Sequence, residues 1–240
     1  MIELRRPAGG FARVGHRGAS ALAPENTPAA FELAVELGCD MLEFDVLDRA
    51  DGTVVVAHDA RRARTPGLVT LDEALTFCVE RLPDVGLQVD LKRRGVEAAV
   101  VDALQRHGVY ERSWASSFDA GSLRRLAQIA PELPRSYTLP RDRLGISKRR
   151  LFAPVVRSTL ASLGTSLPGR LSALLERTTA DAFTLHHSVA SAEAIAQAHE
   201  LGAAVYVWTV DDPGLARQLI EAGADGIITN DPRVFSELTT

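Results

Sequence analysis

Apolar residues are spaced in two alternating ways along the chain. Short runs that read as extended strands occur at 11–16, 41–47, 86–91, 113–117, 135–139, 182–186, 203–209 and 226–229. Between them lie stretches whose apolar positions recur every three or four residues, the spacing of one helix face. Residues 27–37 carry Ala30, Phe31, Ala34 and Leu37 in that spacing and stop at Gly38. Residues 71–81 follow Thr70, with Glu73 three positions on, the signature of a capping box. Further helices are predicted at 96–107 before Gly108, at 120–129, at 191–201 and at 213–222, the last opening on Pro213. One more extended run, 53–58, follows the Asp51–Gly52 turn pair, and 141–177 reads as one or two helices rich in Arg, Leu and Ser.

Strands that alternate with helices predict parallel βα units. Eight such units in 240 residues predict an α/β fold, a closed (β/α)8 TIM barrel forming a single domain over 1–240. An open doubly wound sheet is the competing architecture, and its GxGxxG dinucleotide signature is missing.

Composition narrows the function classes. At 46% hydrophobic and 24% charged, the chain is no disordered tract, collagen or coiled-coil rod. The net charge is −4, without the strong positive charge of a nucleic-acid binder, so no nucleic-acid partner is expected. No run of 18 apolar residues exists to form a transmembrane segment, and Arg5 and Arg6 have no apolar stretch behind them to make a signal peptide. Cys39 and Cys78 form neither a CxxC pair nor a disulfide framework and read as packing residues in a reducing compartment. The expected location is cytoplasmic.

In a barrel, chemistry gathers where strands end and loops begin. The first strand ends in His16-Arg17-Gly18, the second carries Glu43 and Asp45, and the 53–58 run ends in His58-Asp59. The third strand carries Asp90 and then Lys92, and the seventh ends in Trp208-Thr209. Positions i and i+2 of a strand share a face, so Glu43 and Asp45 point the same way. Two carboxylates on one face of a buried strand repel each other and lose hydration, and a cation relieves both costs. With Asp90 as a third oxygen donor and no thiolate, the set points to a hard divalent ion, Mg²⁺ or Ca²⁺. The competing reading puts both carboxylates on a solvent-facing strand. Removing either one is expected to relieve repulsion and stabilise the metal-free chain. His16 and His58, at neighbouring strand ends, suit acid–base work near neutral pH. Arg17 and Lys92 suit phosphate contact, or pairing with the nearby carboxylates. His107 and His199 fall on predicted helices and are expected to be exposed, while one of His186 and His187 is a candidate for the mouth.

The motifs GHRG (15–18), PENT (24–27), EFDV (43–46), DGTVVVAHD (51–59), QVDLK (88–92), SSF (116–118), VYVWTV (205–210) and GADGIITNDP (223–232) occur in this order. On these segments, which reach both ends of the chain, the protein resembles the glycerophosphodiester phosphodiesterase family. The resemblance implies a metal-assisted hydrolase on a TIM barrel that cleaves glycerophosphodiesters to glycerol 3-phosphate and an alcohol. It implies His16 and His58 as the acid–base pair, and Glu43 and Asp45 as metal ligands with Asp90 as the third. Arg17 would contact phosphate, Lys92 would be the lysine of the family's E-x-K motif, and Trp208 would stand near the substrate. Glu25 and Asn26 would belong to a loop that lines the site. Two departures stand out: the family's third ligand is usually Glu, where this chain has Asp90, and only twelve residues separate His58 from Leu71, which implies an open site that accepts a bulkier or lipid-like alcohol.

Two rival readings use the same residues. One is a lysophospholipase D-like or other phospholipid phosphodiesterase, and the other a catalytically impaired relative that binds phosphodiesters without turnover. The stretch 141–170 adds a partner: Arg141, Arg143, Lys148, Arg149, Arg150, Arg157 and Arg170 face only Asp142, a local net charge of +6. Leu144, Ile146, Leu151, Phe152, Val155, Val156 and Leu160 lie among them, so an amphipathic helix in weak, salt-sensitive contact with anionic lipid is expected, against the plainer reading of a solvated helical face.

Overall fold

The computed structural model describes residues 1–6, 9–140 and 153–238. The elements run in the order β1 (Ala12–His16), α1 (Pro28–Glu36), β2 (Met41–Asp48), β3 (Val54–Val56), α2 (Leu71–Arg81), β4 (Gly86–Leu91), α3 (Glu97–Arg106), β5 (Ser113–Ser117) and α4 (Ala120–Ile129). They continue as β6 (Arg135–Leu139), α5 (Ala153–Ser166), α6 (Leu171–Thr178), β7 (Ala182–His186), α7 (Ala192–Glu200), β8 (Ala204–Trp208), α8 (Pro213–Glu221) and β9 (Gly226–Thr229). Eight of the strands are parallel neighbours in the order β1-β9-β8-β7-β6-β5-β4-β2, and β1 pairs with β2 to close the ring. The fold is the expected (β/α)8 barrel.

The extended run after the Asp51–Gly52 turn is a hairpin arm outside the ring. β3 lies antiparallel to β2, with Val46 opposite Val56, because the turn reverses the chain before a helix can intervene. Among the described residues the stretch between β6 and β7 contains two α-helices, α5 and α6. Residues 141–152, which hold five of the basic residues assigned to lipid contact, lie outside the described residues.

Helix starts follow the local chemistry. Thr27 accepts a hydrogen bond from Ala30 N with Pro28 in the first turn, and Thr70 and Glu73 form the full reciprocal capping box. Such caps contribute about 1 kcal/mol each.

Period-two alternation divides the strands into two faces. Leu42, Phe44 and Val46, Leu87, Val89 and Leu91, Phe183 and Leu185, and Val205 and Val207 pack outward beneath the helices. Ala12, Val14, Met41, Trp114, Tyr206 and Ile228 fill the interior toward the start of the strands. The Trp114 and Tyr206 rings meet there with centroids 4.7 Å apart. Gly226 makes room for them, since a Cβ on it would lie 2.3 Å from the Tyr206 ring. The Tyr206 hydroxyl donates to Leu4 O at 3.2 Å, which draws the N-terminal segment across that end. Toward the ends of the strands the inward positions turn polar, and the same alternation that builds the plug exposes the site.

His107 and His199 are half-buried rather than exposed. Each ring reaches a carboxylate on another element, His107 Nε2 to Asp72 at 2.8 Å and His199 Nε2 to the buried Asp225 at 2.9 Å. Cys39 and Cys78 are buried free thiols, as packing residues should be, and burial pushes the Cys78 thiol up to about 11. Among the described residues no helix is long and apolar enough to cross a membrane.

Candidate active site

The loop after β1 is shaped by a close approach. Gly18 has φ +77°, and a Cβ on it would lie 2.5 Å from the backbone of Ala30 in α1. Arg17 (φ 57°) and Asn26 (φ 61°) also occupy the left-handed region, which side-chain-bearing residues enter only at a cost of roughly 1 kcal/mol or more. Specific bonds hold both. The Arg17 backbone N–H donates to Glu43 Oε2 at 3.0 Å. Asn26 pairs with Asp45 twice, donating from Nδ2 to Oδ2 at 3.0 Å and accepting from the Asp45 backbone N at 3.2 Å.

These contacts aim Arg17 into the barrel. Its Nε lies 2.9 Å from Asp45 Oδ2, and its Nη1 donates to Glu25 Oε2 at 2.8 Å. Glu25 is gripped from the opposite side by Arg62, in the short loop after His58. Lys92 Nζ sits between two carboxylates, 2.5 Å from Asp45 Oδ1 and 2.6 Å from Asp90 Oδ2.

Glu43, Asp45 and Asp90 are all buried, and each offers an oxygen within 4.8 Å of the others. Ligands on opposite sides of a hard ion at about 2.3 Å stand about 4.6 Å apart, so the separation and the all-oxygen donor set fit a divalent cation. The three carboxylates differ electrostatically. Burial, followed by the neighbouring Asp45 charge, raises the Glu43 carboxyl well above its ordinary value. Burial also opposes ionisation of Asp45, but the Lys92 and Arg17 cations outweigh it and hold that carboxyl far below the usual range. The same partners act on Lys92: burial disfavours its charge, and Asp45 and Asp90 overcome this and raise its pKa.

His16 ends β1, and His58 lies two residues past β3, the arm outside the ring, rather than at the end of a neighbouring barrel strand. His16 Nδ1 lies 2.6 Å from Asn230 Oδ1, and its Nε2 is 3.9 Å from Glu43 Oε2. Burial, and then the Arg17 charge, lower the His16 imidazole to about 4. His58 is less enclosed, with Nδ1 3.5 Å from Asp59 Oδ2, and burial followed by Arg17 lowers it too. His16, Arg17, Glu43, His58, Asp90, Lys92 and Trp208 all line one pocket at the mouth of the barrel. Trp208 shares its wall with Phe118, ring centroids 5.8 Å apart in an edge-to-face arrangement, and His186 packs edge-on to Trp208 at 5.2 Å. A broader depression beside the β2–β3 hairpin, lined by Arg49, Arg64 and Arg93, contains none of these residues.

Sequence reasoning missed Asn230, Asp211 and Ser20, which together position His16. Asn230 follows β9 and holds His16, and Asp211 holds Asn230 in turn: the Asn230 Nδ2 and backbone N both donate to it at 2.7 Å. Ser20 Oγ donates to Asn230 Oδ1 at 2.9 Å. Turn chemistry alone produces strings such as TNDP, so the segment marks a strand end without marking a site residue.

The model of the glycerophosphoryl diester phosphodiesterase family matches residues 16–91 and 85–234 of this chain. A glycerophosphodiester phosphodiesterase of Caldanaerobacter subterraneus subsp. tengcongensis is 30% identical over 260 residues, covering 94% of this chain and 96% of that one. Among solved structures, a glycerophosphodiester phosphodiesterase from Parabacteroides distasonis superposes with a TM-score of 0.75 at 21% identity, covering 96% of this chain and 97% of the other. An Oleispira antarctica phosphodiesterase in complex with the product sn-glycerol-3-phosphate superposes with a TM-score of 0.73 at 22% identity, covering 95% and 97%.

Proposed function

The chain belongs to the glycerophosphoryl diester phosphodiesterase family, and from that premise we propose that it hydrolyses glycerophosphodiesters to glycerol 3-phosphate and an alcohol, using one catalytic domain over 1–240. The observation that carries the reading is the convergence of His16, His58, Arg17, Lys92, Glu43 and Asp90 on one pocket, with Asp45 buried against Glu43 and Asp90.

In this reading Glu43, Asp45 and Asp90 hold a divalent ion, Mg²⁺ or Ca²⁺. When bound, such an ion neutralises phosphoryl oxygens as charge develops on them. The shorter Asp90 side chain favours the ion with the more adaptable coordination shell, Ca²⁺. Arg17 meets a non-bridging phosphate oxygen with a guanidinium already oriented by Asp45 and Glu25. Lys92 contributes charge to the same rim, and Trp208 flanks the substrate.

Geometry supports distinct roles for the two imidazoles. Asn230 presents its carbonyl to His16 because Asp211 engages its amide nitrogen. His16 Nδ1 therefore carries the proton, and Nε2 is left with its lone pair on the pocket side. His16 accepts a proton from the attacking water as the water oxygen bonds to phosphorus. His58 delivers a proton to the alcohol oxygen as its bond to phosphorus breaks. Each transfer contributes roughly 10²–10⁴-fold.

The test is release of glycerol 3-phosphate and choline from glycerophosphocholine, with and without EDTA, followed by Mg²⁺ or Ca²⁺ in turn. No turnover with either ion would favour the binding-protein alternative. Release of free choline together with lysophosphatidate from lysophosphatidylcholine, in preference to glycerophosphocholine, would favour the lysophospholipase D-like one. The proposed setting is cytoplasmic. The basic stretch 141–170 is assigned weak contact with anionic lipid, to be checked by vesicle sedimentation at low and high salt.

A further inference from the structure

The floor of the pocket holds two polar atoms that the charged network above them does not engage. Gln88 and Thr138 both line the pocket and are only 2% and 4% exposed. Gln88 Oε1 and Thr138 Oγ1 have no hydrogen-bond partner among the described residues. Buried polar atoms are nearly always matched, so two unmatched ones in one pocket point to a ligand that matches them.

The Gln88 amide is oriented from its other side. Its Nε2 donates to Ser116 Oγ at 3.0 Å, and Ser116 Oγ donates to Asp90 Oδ1 at 2.6 Å. The serine proton is committed to the carboxylate, so the serine oxygen accepts and the amide turns its NH₂ toward it. Oε1 is left as a pure acceptor. The adjoining floor hydroxyls are already occupied, since Ser136 Oγ and Thr184 Oγ1 bond to each other at 2.6 Å.

The chemistry of the pair selects its ligand. Neither atom is charged, and an amide oxygen repels a phosphate oxygen, so the phosphate belongs with Arg17 and Lys92. An acceptor amide oxygen calls for a hydroxyl donor, and a threonine hydroxyl serves a second hydroxyl as donor or acceptor. A diol supplies both. We propose that Gln88 and Thr138 form a hydroxyl-reading floor that holds the two free hydroxyls of the glycerol arm, with the departing alcohol directed toward the mouth. The assignment rests on the reading of the site as a glycerophosphodiester hydrolase.

Thr138→Val keeps the side-chain shape and removes the hydroxyl, and Gln88→Met removes the acceptor. Ser122→Ala is the control, because Ser122 Oγ is also buried and unpartnered but lies on α4, outside the pocket. Glycerophosphocholine is compared with propylphosphocholine, which lacks both glycerol hydroxyls. The expected result is a wild-type preference for glycerophosphocholine that falls about tenfold in Thr138→Val, through KM, and again in Gln88→Met, while Ser122→Ala retains it. In parallel, calorimetry with glycerol 3-phosphate and propyl phosphate should show tighter binding of the first by wild type and loss of that difference in both pocket variants. An equal preference in wild type and in whichever pocket variants fold would overturn the proposal and assign the floor to ordered water. If wild type hydrolyses neither diester, the functional reading fails, and the calorimetric difference alone decides the floor.

Discussion

Asn230 Oδ1 lies 2.6 Å from His16 Nδ1, and Asp211 secures the asparagine from behind through two hydrogen bonds of 2.7 Å. A uncharged amide thus sets the tautomer of an imidazole without adding charge to it. Asn230→Ala is expected to lower kcat roughly 10–100-fold with little change in KM, because the His16 ring loses the bond that orients it. Steady-state kinetics check this, and an unchanged kcat would show that His16 holds its orientation unaided.

Loss of an imidazole should cut deeper. His16→Ala and His58→Ala are each expected to reduce turnover by at least roughly 100-fold while circular dichroism stays native, since neither ring belongs to the hydrophobic core. Near-wild-type kcat in either variant would remove that histidine from proton transfer.

The carboxylates separate into two kinds. Burial and the Asp45 charge raise the Glu43 carboxyl, so its ionised form is a burden when no ion is bound. Asp45 is paired with Arg17, Lys92 and Asn26. Removing Glu43 is therefore still expected to stabilise the metal-free chain, whereas removing Asp45 is expected to destabilise it. Glu43→Gln should raise the Tm of the EDTA-treated protein, and Asp45→Ala should lower it, because it removes one of the two carboxylates with which each of Arg17 and Lys92 is paired. Both variants should lose metal-dependent activity. Thermal melts decide, and a fall in Tm for Glu43→Gln would contradict the assignment.

Stability should fall with pH on the acid side. Burial, with the Arg17 charge second, lowers His16 from 6.5 to about 4, and burial followed by the His187 charge does the same for His186. Between those values the unfolded chain takes up protons that the folded chain refuses. Stability from these rings is present above pH 6.5 and is lost as pH falls from there toward 4. Urea midpoints of the metal-free protein should drop across that window, and His186→Asn should flatten part of the drop. A level profile would refute it.

Gly18→Ala tests the loop that carries Arg17. With φ at +77° and a new Cβ 2.5 Å from the Ala30 backbone, the variant is expected to lose about 2–4 kcal/mol or to fold poorly. Urea denaturation measures it, and a loss below about 1 kcal/mol would mean that α1 shifts easily.

Much of the barrel was legible because two periodicities coexist in the chain. The strands from Ala12 to Thr229 and their intervening helices follow from apolar spacing. The i, i+2 rule placed Glu43 and Asp45 on one face before any distance was known, and Asp90 joined them through the neighbouring strand. What stayed hidden depends on contacts between distant residues. An extended run does not declare its pairing direction, so the antiparallel β3 was unreadable. The partners of His107 and His199 come from other elements, 35 and 26 residues away. Gln88, Thr138 and Asn230 went unnoticed because amides and hydroxyls at inward positions look like ordinary strand and turn residues until the strands close around them.

The tilted Trp114 and Tyr206 rings, seated over Gly226 and backed by Leu4, have a consequence for traffic. They stopper the lower end of the ring, so among the described residues the pocket is a well entered from the ends of the strands. Whatever lies deepest departs last. With the glycerol arm on the floor, the alcohol leaves first and glycerol 3-phosphate second. Glycerol 3-phosphate should then inhibit competitively against substrate, while the released alcohol inhibits weakly and by a different pattern. The turnover ceiling would be set at the doorway, by the exit of the phosphate-bearing product past Trp208 and Phe118.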